Sequence, residues 1–276
     1  MKIAIVNSPN PQSIAIKEQI LTFGRAHDLT FDQDQPNLVL SIGGDGTLLN
    51  AFHQYESMLD QVRFVGIHTG HLGFYTDWRD DELDLFFDAL LQDAGERVSY
   101  PLLELKLFHW DGQVTRKLAL NEATIRRYEG TMTCDVSIKE DLFELFKGDG
   151  LCVATPTGST GLNKSLGGVV VHPRLDTLQL TEIASINNRV YRTLSSSLLI
   201  ASDEWIVITP DPAFKSNVMI SIDQDTFPIG DVDRLQFAIA KERVHFARYR
   251  HMHFWNRVEQ SFIGVKSKER GSHFDS

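Results

Sequence analysis

Cysteine is nearly absent from this chain: the 276 residues hold two, Cys134 and Cys152. They form no C-x-x-C pair, which excludes a disulfide framework and a cysteine zinc cluster and suits a reducing compartment. Long apolar runs are also missing, and no stretch approaches the roughly 20 residues that span a bilayer. The amino-terminal Ile3-Ala4-Ile5-Val6, followed by polar Asn7-Ser8-Pro9, is too short for the apolar core of a signal peptide. A cytoplasmic location is the expectation. Positive charge is in deficit, with 27 Lys plus Arg against 37 Asp plus Glu and a formal net charge of −10. That balance argues against a nucleic-acid partner and against a membrane surface. Any phosphate must therefore be held by local donors. Two fingerprints are lacking as well, the G-x-S-x-G elbow of hydrolases and the G-x-G-x-x-G turn of dinucleotide dehydrogenases.

What is present reads as an ordinary folded chain, 42% hydrophobic and 23% charged, of a length suited to one large domain or two modest ones. Over the first hundred residues short apolar runs (3–6, 38–42, 64–67) alternate with helical patterns (14–27, from Thr47, 80–91). This is βαβ alternation and predicts a largely parallel sheet. After Pro101 the texture changes to strands with hairpin punctuation: 102–109, a turn at Asp111-Gly112, 114–126, 133–138, 178–184, 205–209, 218–222, 235–240 and 244–249. The second part is expected to be a β-sandwich. A helical pattern at 254–263 closes the chain. No fixed-period repeat or low-complexity segment occurs, and the tail after Glu269 is polar.

Two stretches carry chemistry. The first is the apolar run 38–42 leading into Gly43-Gly44-Asp45-Gly46-Thr47 and then Leu48-Leu49-Asn50-Ala51-Phe52, a strand, glycine turn and helix. Glycines let backbone N–H groups approach a ligand, and a helix start favours phosphate. An acid within such a cradle is unfavourable unless it takes a proton, meets a cation or caps the helix. The second runs from Thr155-Pro156-Thr157-Gly158-Ser159-Thr160 through Gly161-Leu162-Asn163-Lys164-Ser165. It approaches a P-loop at Gly158, Lys164 and Ser165, but Asn163 replaces the second glycine and no βαβ context surrounds it. What remains is a loop rich in hydroxyls and amides, suited to a sugar or phosphate. Asn121-Glu122 and Gly148-Asp149-Gly150, taken alone, read as a solvated strand end and a turn. His68 with His71, and His251 with His253, have pair spacing but no third ligand, so no metal site is expected. Arg248, Arg250 and Arg257 are expected to pair with acids on a solvated face.

In their order along the chain, Gly43–Thr47, His68-Thr69-Gly70-His71-Leu72-Gly73-Phe74, Asn121-Glu122, Gly148-Asp149-Gly150, Thr155–Thr160 and Ala184-Ser185-Ile186-Asn187-Asn188-Arg189 resemble the bacterial NAD kinases over residues 1 to about 263. The glycine–acid turn alone is shared with diacylglycerol, sphingosine and 6-phosphofructokinases; the Asn-Glu pair and the Thr-Pro-Thr-Gly-Ser-Thr loop narrow the resemblance. It implies an α/β domain over 1–100, to which 252–276 returns so that a C-terminal helix packs back on it. A β-rich NAD-binding domain then spans 101–251. It also implies phosphorylation of the ribose 2′-hydroxyl of NAD by ATP with Mg²⁺, with Asp45 as proton acceptor. An aspartate, with an ordinary pKa of about 4, is a weak base for a sugar hydroxyl, so it would act late or by orienting the nucleophile.

By the same resemblance Gly44 and Gly46 supply donors to phosphates, and Asn121, Glu122 and Asp149 bind nucleotide edges. Lys147, Thr157, Ser165 and Ala184 line the NAD pocket, often from a neighbouring subunit. The rest of the loop, Thr160, Gly161, Leu162, Asn163 and Lys164, belongs to the same binding surface. A homo-oligomer, dimer or tetramer, follows. Two departures stand out: Leu162 lies where relatives carry an aromatic ring, and Leu194-Ser195-Ser196-Ser197 replaces a Gly-Ser-Pro segment. Stacking on a base contributes about 1–3 kcal/mol in nucleic-acid complexes, so the missing ring bears on nucleotide affinity. The alternatives are a non-catalytic nucleotide sensor and a lipid kinase of the diacylglycerol type.

Overall fold

In the computed structural model residues 1–70, 73–249 and 254–264 are described; the expectations on His71, Arg250, His251 and His253 lie outside them. The first region runs β1 (Lys2–Asn7), α1 (Pro11–Ala26), β2 (Thr30–Phe31), β3 (Leu38–Ile42), α2 (Asp45–Gln54), β4 (Arg63–His68), β5 (Trp78–Arg79) and α3 (Leu83–Leu91). Strands β1, β3 and β4 are parallel neighbours, as the alternation predicts. Helix α1 begins three residues before the apolar periodicity does. The Asn10 side chain accepts from Ser13 N–H at 2.7 Å, and Pro11 opens the helix where its missing N–H costs nothing.

The second region carries β6 (Arg97–His109), β7 (Val114–Ala119), β8 (Glu122–Arg127), β9 (Met132–Ile138), β10 (Asp141–Gly148) and β11 (Gly150–Ala154). After α4 (Leu162–Ser165) come β12 (Leu178–Ile183), β13 (Leu198–Ile200), β14 (Ile206–Pro210), β15 (Val218–Ile222), β16 (Asp225–Pro228) and β17 (Val232–Ala247); α5 (Phe254–Val258) and a π turn (Glu259–Ile263) close the described chain. One sheet has the order β10-β9-β14-β17-β4-β3-β1-β2, with β6 and β7 joined to it through β17; the other is β13-β12-β11-β8-β15-β16. A shared apolar core, including Phe146 and Phe237, packs residues of the two sheets together. Burying a side chain of that size stabilises by about 1.5–3 kcal/mol.

Two features go beyond the sequence patterns. The run 114–126, expected as one strand, is two. Strand β7 pairs with β6 in the large sheet, β8 with β11 and β15 in the small one, and the chain crosses between sheets at Leu120-Asn121. The runs 235–240 and 244–249, expected as two strands, form the continuous β17 up to Ala247, with a register irregularity between Ile239 and Arg243. Its early part pairs with β14, and Phe246 near its end pairs in parallel with Phe64 of β4. The expected boundary at 100/101 falls inside β6.

The final helix packs back on the first region through Arg257, whose guanidinium donates to the Phe74 carbonyl and to Asp77. Arg257 is buried, which corrects its expected place on a solvated face; Arg248, exposed and 3.9 Å from Glu96, fits that expectation. Gly66 on β4 lies against the same 73–78 segment, where an added Cβ would stand 2.6 Å from the Tyr75 carbonyl oxygen and 2.8 Å from Thr76 Cα. Backbone cannot yield as a flexible side chain does. Gly66→Ala is expected to lower stability by about 1–3 kcal/mol in chemical denaturation, whereas an unchanged midpoint would show that the segment moves freely.

Candidate active site

The glycine turn between β3 and α2 is built for close approach. Gly43 has φ +154, and a Cβ there would lie 2.3 Å from Thr47 Oγ1, whereas nothing lies within 4 Å of the equivalent point at Gly44. Gly44 is the N-cap of α2, so the first-turn amides of Asp45 and Gly46 stand at the positive end of the helix. Asp45 itself is held from outside the helix. Its Oδ2 accepts from Phe74 N–H at 2.9 Å and its Oδ1 from Tyr75 N–H at 3.0 Å. Gly73 makes this possible, since a Cβ there would come within 2.1 Å of Asp45 Oδ1. Two amides of one segment thus fix the orientation of the carboxylate.

The same segment reaches the Asn-Glu pair. Tyr75 Oη donates to Asn121 Oδ1, and the corner at Leu120–Glu122 is fastened by Asp223, from the turn between β15 and β16. Asp223 Oδ2 accepts from Leu120 N–H at 2.9 Å; Oδ1 accepts from Asn121 N–H at 2.8 Å and Glu122 N–H at 3.3 Å. The Asp223 side chain is fully buried, and Oδ2 also meets His53 Nε2 of α2 at 2.8 Å. Burial alone would lower the His53 pKa, but hydrogen bonds to Asp223 and Glu56 outweigh it and raise it to about 9. The next residue, Gln224, donates from Nε2 to Gly46 O at 3.3 Å.

Glu122 is not the solvated strand end that it resembles in isolation. It is largely buried, its Oε2 has no hydrogen-bond partner among the described residues, and burial, aided by Asp223, raises its pKa to about 7. It faces a cleft of about 770 Å³ shared with Asp149, Leu162, Arg126, Ser221 and Thr226, a volume suited to a nucleotide-sized ligand. Leu162, 39% exposed, lines this cleft. Gly161 is next to it, with the Cβ point 3.7 Å from Glu122 Oε2.

The other candidates divide. Lys147 lies with its Nζ 4.7 Å from the centre of the Tyr191 ring, and the Ile186 amide donates to its carbonyl at 2.7 Å. Ala184 is exposed with φ +47, beside Asp149, whose amide donates to Ile183 O at 2.9 Å. The hydroxyls of the 155–160 loop are engaged within the protein. Thr155 and Thr157 donate to Leu120 O at 2.6 and 2.9 Å, Ser159 to Pro156 O at 2.6 Å, and Thr160 to Thr157 O at 3.3 Å. The loop thus buttresses the Asn-Glu corner from behind; Gly158 touches the Asn121 backbone. Asn163 is wholly buried and accepts from Thr181 at 2.7 Å. Lys164 turns to the Phe262 ring, 4.2 Å away, and Ser165 is exposed at the end of α4. Asp223, His53 and Tyr75 carried no signal: Asp223-Gln224 reads as a hairpin turn, His53 as one residue of a helix, and Tyr75 as core.

Comparison with known proteins identifies the family and the fold. The chain matches the ATP-NAD kinase N-terminal domain over residues 8–94 and the ATP-NAD kinase C-terminal domain over 120–249. It is 53% identical to the NAD kinase of Latilactobacillus sakei over 96% of this chain and 99% of the relative. To that of Enterococcus faecalis it is 48% identical, over 96% and 99%. In fold it resembles yeast NADH kinase complexed with NADH, with TM-score 0.82 and 19% identity, over 99% of this chain and 90% of the other. It also resembles an Archaeoglobus fulgidus NAD kinase in complex with ATP, with TM-score 0.75 and 18% identity, over 96% and 98%.

The raised Glu122 pKa sets a sign for stability. Between about 4.5 and 7 the folded protein keeps a proton that the unfolded chain releases, so stability falls as pH rises through that window. Glu122→Gln is expected to remove this fall, which amounts to on the order of 3 kcal/mol at most. Thermal unfolding from pH 4 to 9 reads it, and parallel curves for the two proteins would contradict the assignment.

Proposed function

The chain belongs to the NAD kinase family, and from that premise we propose how its residues divide the work. The reaction is phosphoryl transfer from ATP to the 2′-hydroxyl of the adenosine ribose of NAD, giving NADP. The observation that carries the assignment of roles is the pair of hydrogen bonds from the Phe74 and Tyr75 amides that fix the Asp45 carboxylate at the start of α2. A carboxylate so held orients a ribose hydroxyl and takes its proton late, once bond formation to phosphorus has made it acidic. The amides of Gly44 and Gly46, at the positive end of α2, bind phosphate oxygens. Glu122 and Asp149 accept hydrogen bonds from ribose hydroxyls or the adenine amino group in the cleft that they share.

Among the described residues no three His, Cys, Asp or Glu side chains are grouped to hold a metal ion. We assign the Mg²⁺ to the MgATP substrate, where it neutralises charge on the transferred group. Positioning and electrostatics supply the rest of the catalysis. The lipid-kinase alternative is not favoured by relatives that are NAD kinases along their whole length, and a sensor without activity would have no use for the two-amide cradle around Asp45. A cytoplasmic location accords with two free, buried cysteines, and no helix among the described residues is long and apolar enough to cross a membrane.

We further propose a homo-oligomer, a dimer or tetramer. Its support is apolar exposure near Lys147 and Ala184: Leu142, Phe143 and Leu145 on the edge strand β10, and Ile186, Val190 and Leu194 beyond β12. Such surfaces favour a partner subunit, and Lys147, Ser165 and Ala184 would then complete a pocket across the interface.

Two outcomes are expected. Asp45→Asn lowers kcat for NADP formation from NAD and MgATP by at least about 100-fold while its circular dichroism stays native; full activity in that variant would end the role given to Asp45. Sedimentation under assay conditions shows a dimer or tetramer, and a fully active monomer would contradict the shared pocket.

A further inference from the structure

Asp223 looks like a ligand-binding acid by location, since it borders the cleft that holds Glu122. Its hydrogen bonds tell otherwise. A carboxylate offers about four lone-pair sites, and here four donors take them: the amides of Leu120, Asn121 and Glu122, and His53 Nε2. Nothing is left over for a proton, a cation or a sugar. What the contacts do is mechanical. Leu120-Asn121 is where the chain leaves the large sheet for the small one, and these amides have left the ladder of β7 without yet joining that of β8. Asp223 satisfies them. His53 sits on α2, the helix that Asp45 opens, so the contact to Asp223 joins the catalytic helix to the Asn-Glu corner across 170 residues of chain.

We propose that Asp223 and His53 are positioning residues for the phosphoryl transfer, a charged pair that sets the distance between Asp45 and the Asn121–Glu122 corner without touching either substrate. The proposal rests on the role given above to Asp45 and deepens it. It carries a pH dependence. His53 faces Asp223 on one side and Glu56 on the other. The grooves beside it are lined by Asp60, Arg116 and Glu242 on one hand and by His109, Lys117, Asp225 and Asp231 on the other. Asp223 in turn faces Glu122 and Tyr75. With a pKa raised from about 6.5 to about 9, the His53 contribution is fully present below about pH 6.5 and is lost as pH rises through 9. A neutral imidazole still has one N–H, but it leaves the buried Asp223 charge without a counter-ion.

The test is steady-state NADP formation from NAD and MgATP by wild type, His53→Ala and His53→Gln between pH 6 and 10, with substrate stability checked across the range. Glutamine keeps an N–H for Asp223 and does not titrate. The expected result is a kcat about tenfold or more lower for His53→Ala, with both KM values within about threefold of wild type. His53→Gln restores most of kcat at pH 7, and the alkaline fall of the wild-type profile near pH 9 disappears in it. Wild-type kcat in His53→Ala, or an alkaline fall unchanged in His53→Gln, would overturn the proposal. Should His53→Ala fail to fold, the comparison of His53→Gln with wild type at pH 7 and 9.5 decides alone. Asp45→Asn assayed beside them separates the two ideas: its activity bears on the Asp45 role, and the His53 variants bear on the tie.

Discussion

A buried carboxylate must be satisfied on every side, and the way this chain satisfies Asp223 determines where its site stands. Four donors converge on it, three of them consecutive amides at the crossing between two sheets and the fourth a histidine on the helix behind the glycine turn. From that point the contacts close on themselves. Asn121 receives the Tyr75 hydroxyl, the Tyr75 amide holds Asp45, and Asp45 begins the helix that carries His53. Removing one partner from a buried charged contact costs much more than the contact is worth in water, so each link constrains the others.

The large sheet supplies the frame for this ring. Strand β17 pairs with β14 early in its course and with β4 near its end, which fixes the parallel strands that present the glycine turn against the antiparallel part that presents the Asn-Glu corner. The closing helix adds a second brace. Arg257 of α5 reaches the Phe74 carbonyl and Asp77, in the segment that grips Asp45. Burial lowers the Arg257 pKa to about 10, and the group remains charged at neutral pH. The Thr155–Thr160 loop supports the corner from behind, its hydroxyls turned to main-chain carbonyls. Glu122, Asp149 and Leu162 face the cleft.

Much of this was legible in the sequence, and for identifiable reasons. Period-two and period-3.6 patterns are local, so the alternating first region and the strand-rich second region follow from them. The glycine turn at 43–47 announces itself by its residue types, whereas the Asn-Glu pair alone reads as a solvated strand end and gains weight only through the family resemblance. Long-range facts were not legible. A sheet crossing at Leu120-Asn121 leaves no mark in a run that is apolar on both sides, and the union of 235–240 with the later run depends on two partner strands. Asp223 sits in a four-residue stretch, Asp223-Gln224-Asp225-Thr226, whose composition is that of any hairpin turn. Its meaning comes from His53 and Leu120, each more than a hundred residues away. In the Thr-Pro-Thr-Gly-Ser-Thr loop hydroxyl density reads as ligand contact, and in the fold those hydroxyls donate to main-chain carbonyls, which only the long-range structure shows.

The central claim is that Tyr75, Asn121, Asp223 and His53 act as one closed ring around Asp45. A double-mutant cycle on kcat between Tyr75→Phe and His53→Ala tests it most directly, because the two side chains lie at different links of the ring. The account predicts strong coupling: once either link is opened the second substitution costs little more, and the double variant is about as slow as the worse single one. Losses that multiply, leaving a coupling energy within about 0.5 kcal/mol of zero, would show two independent contacts and contradict the ring.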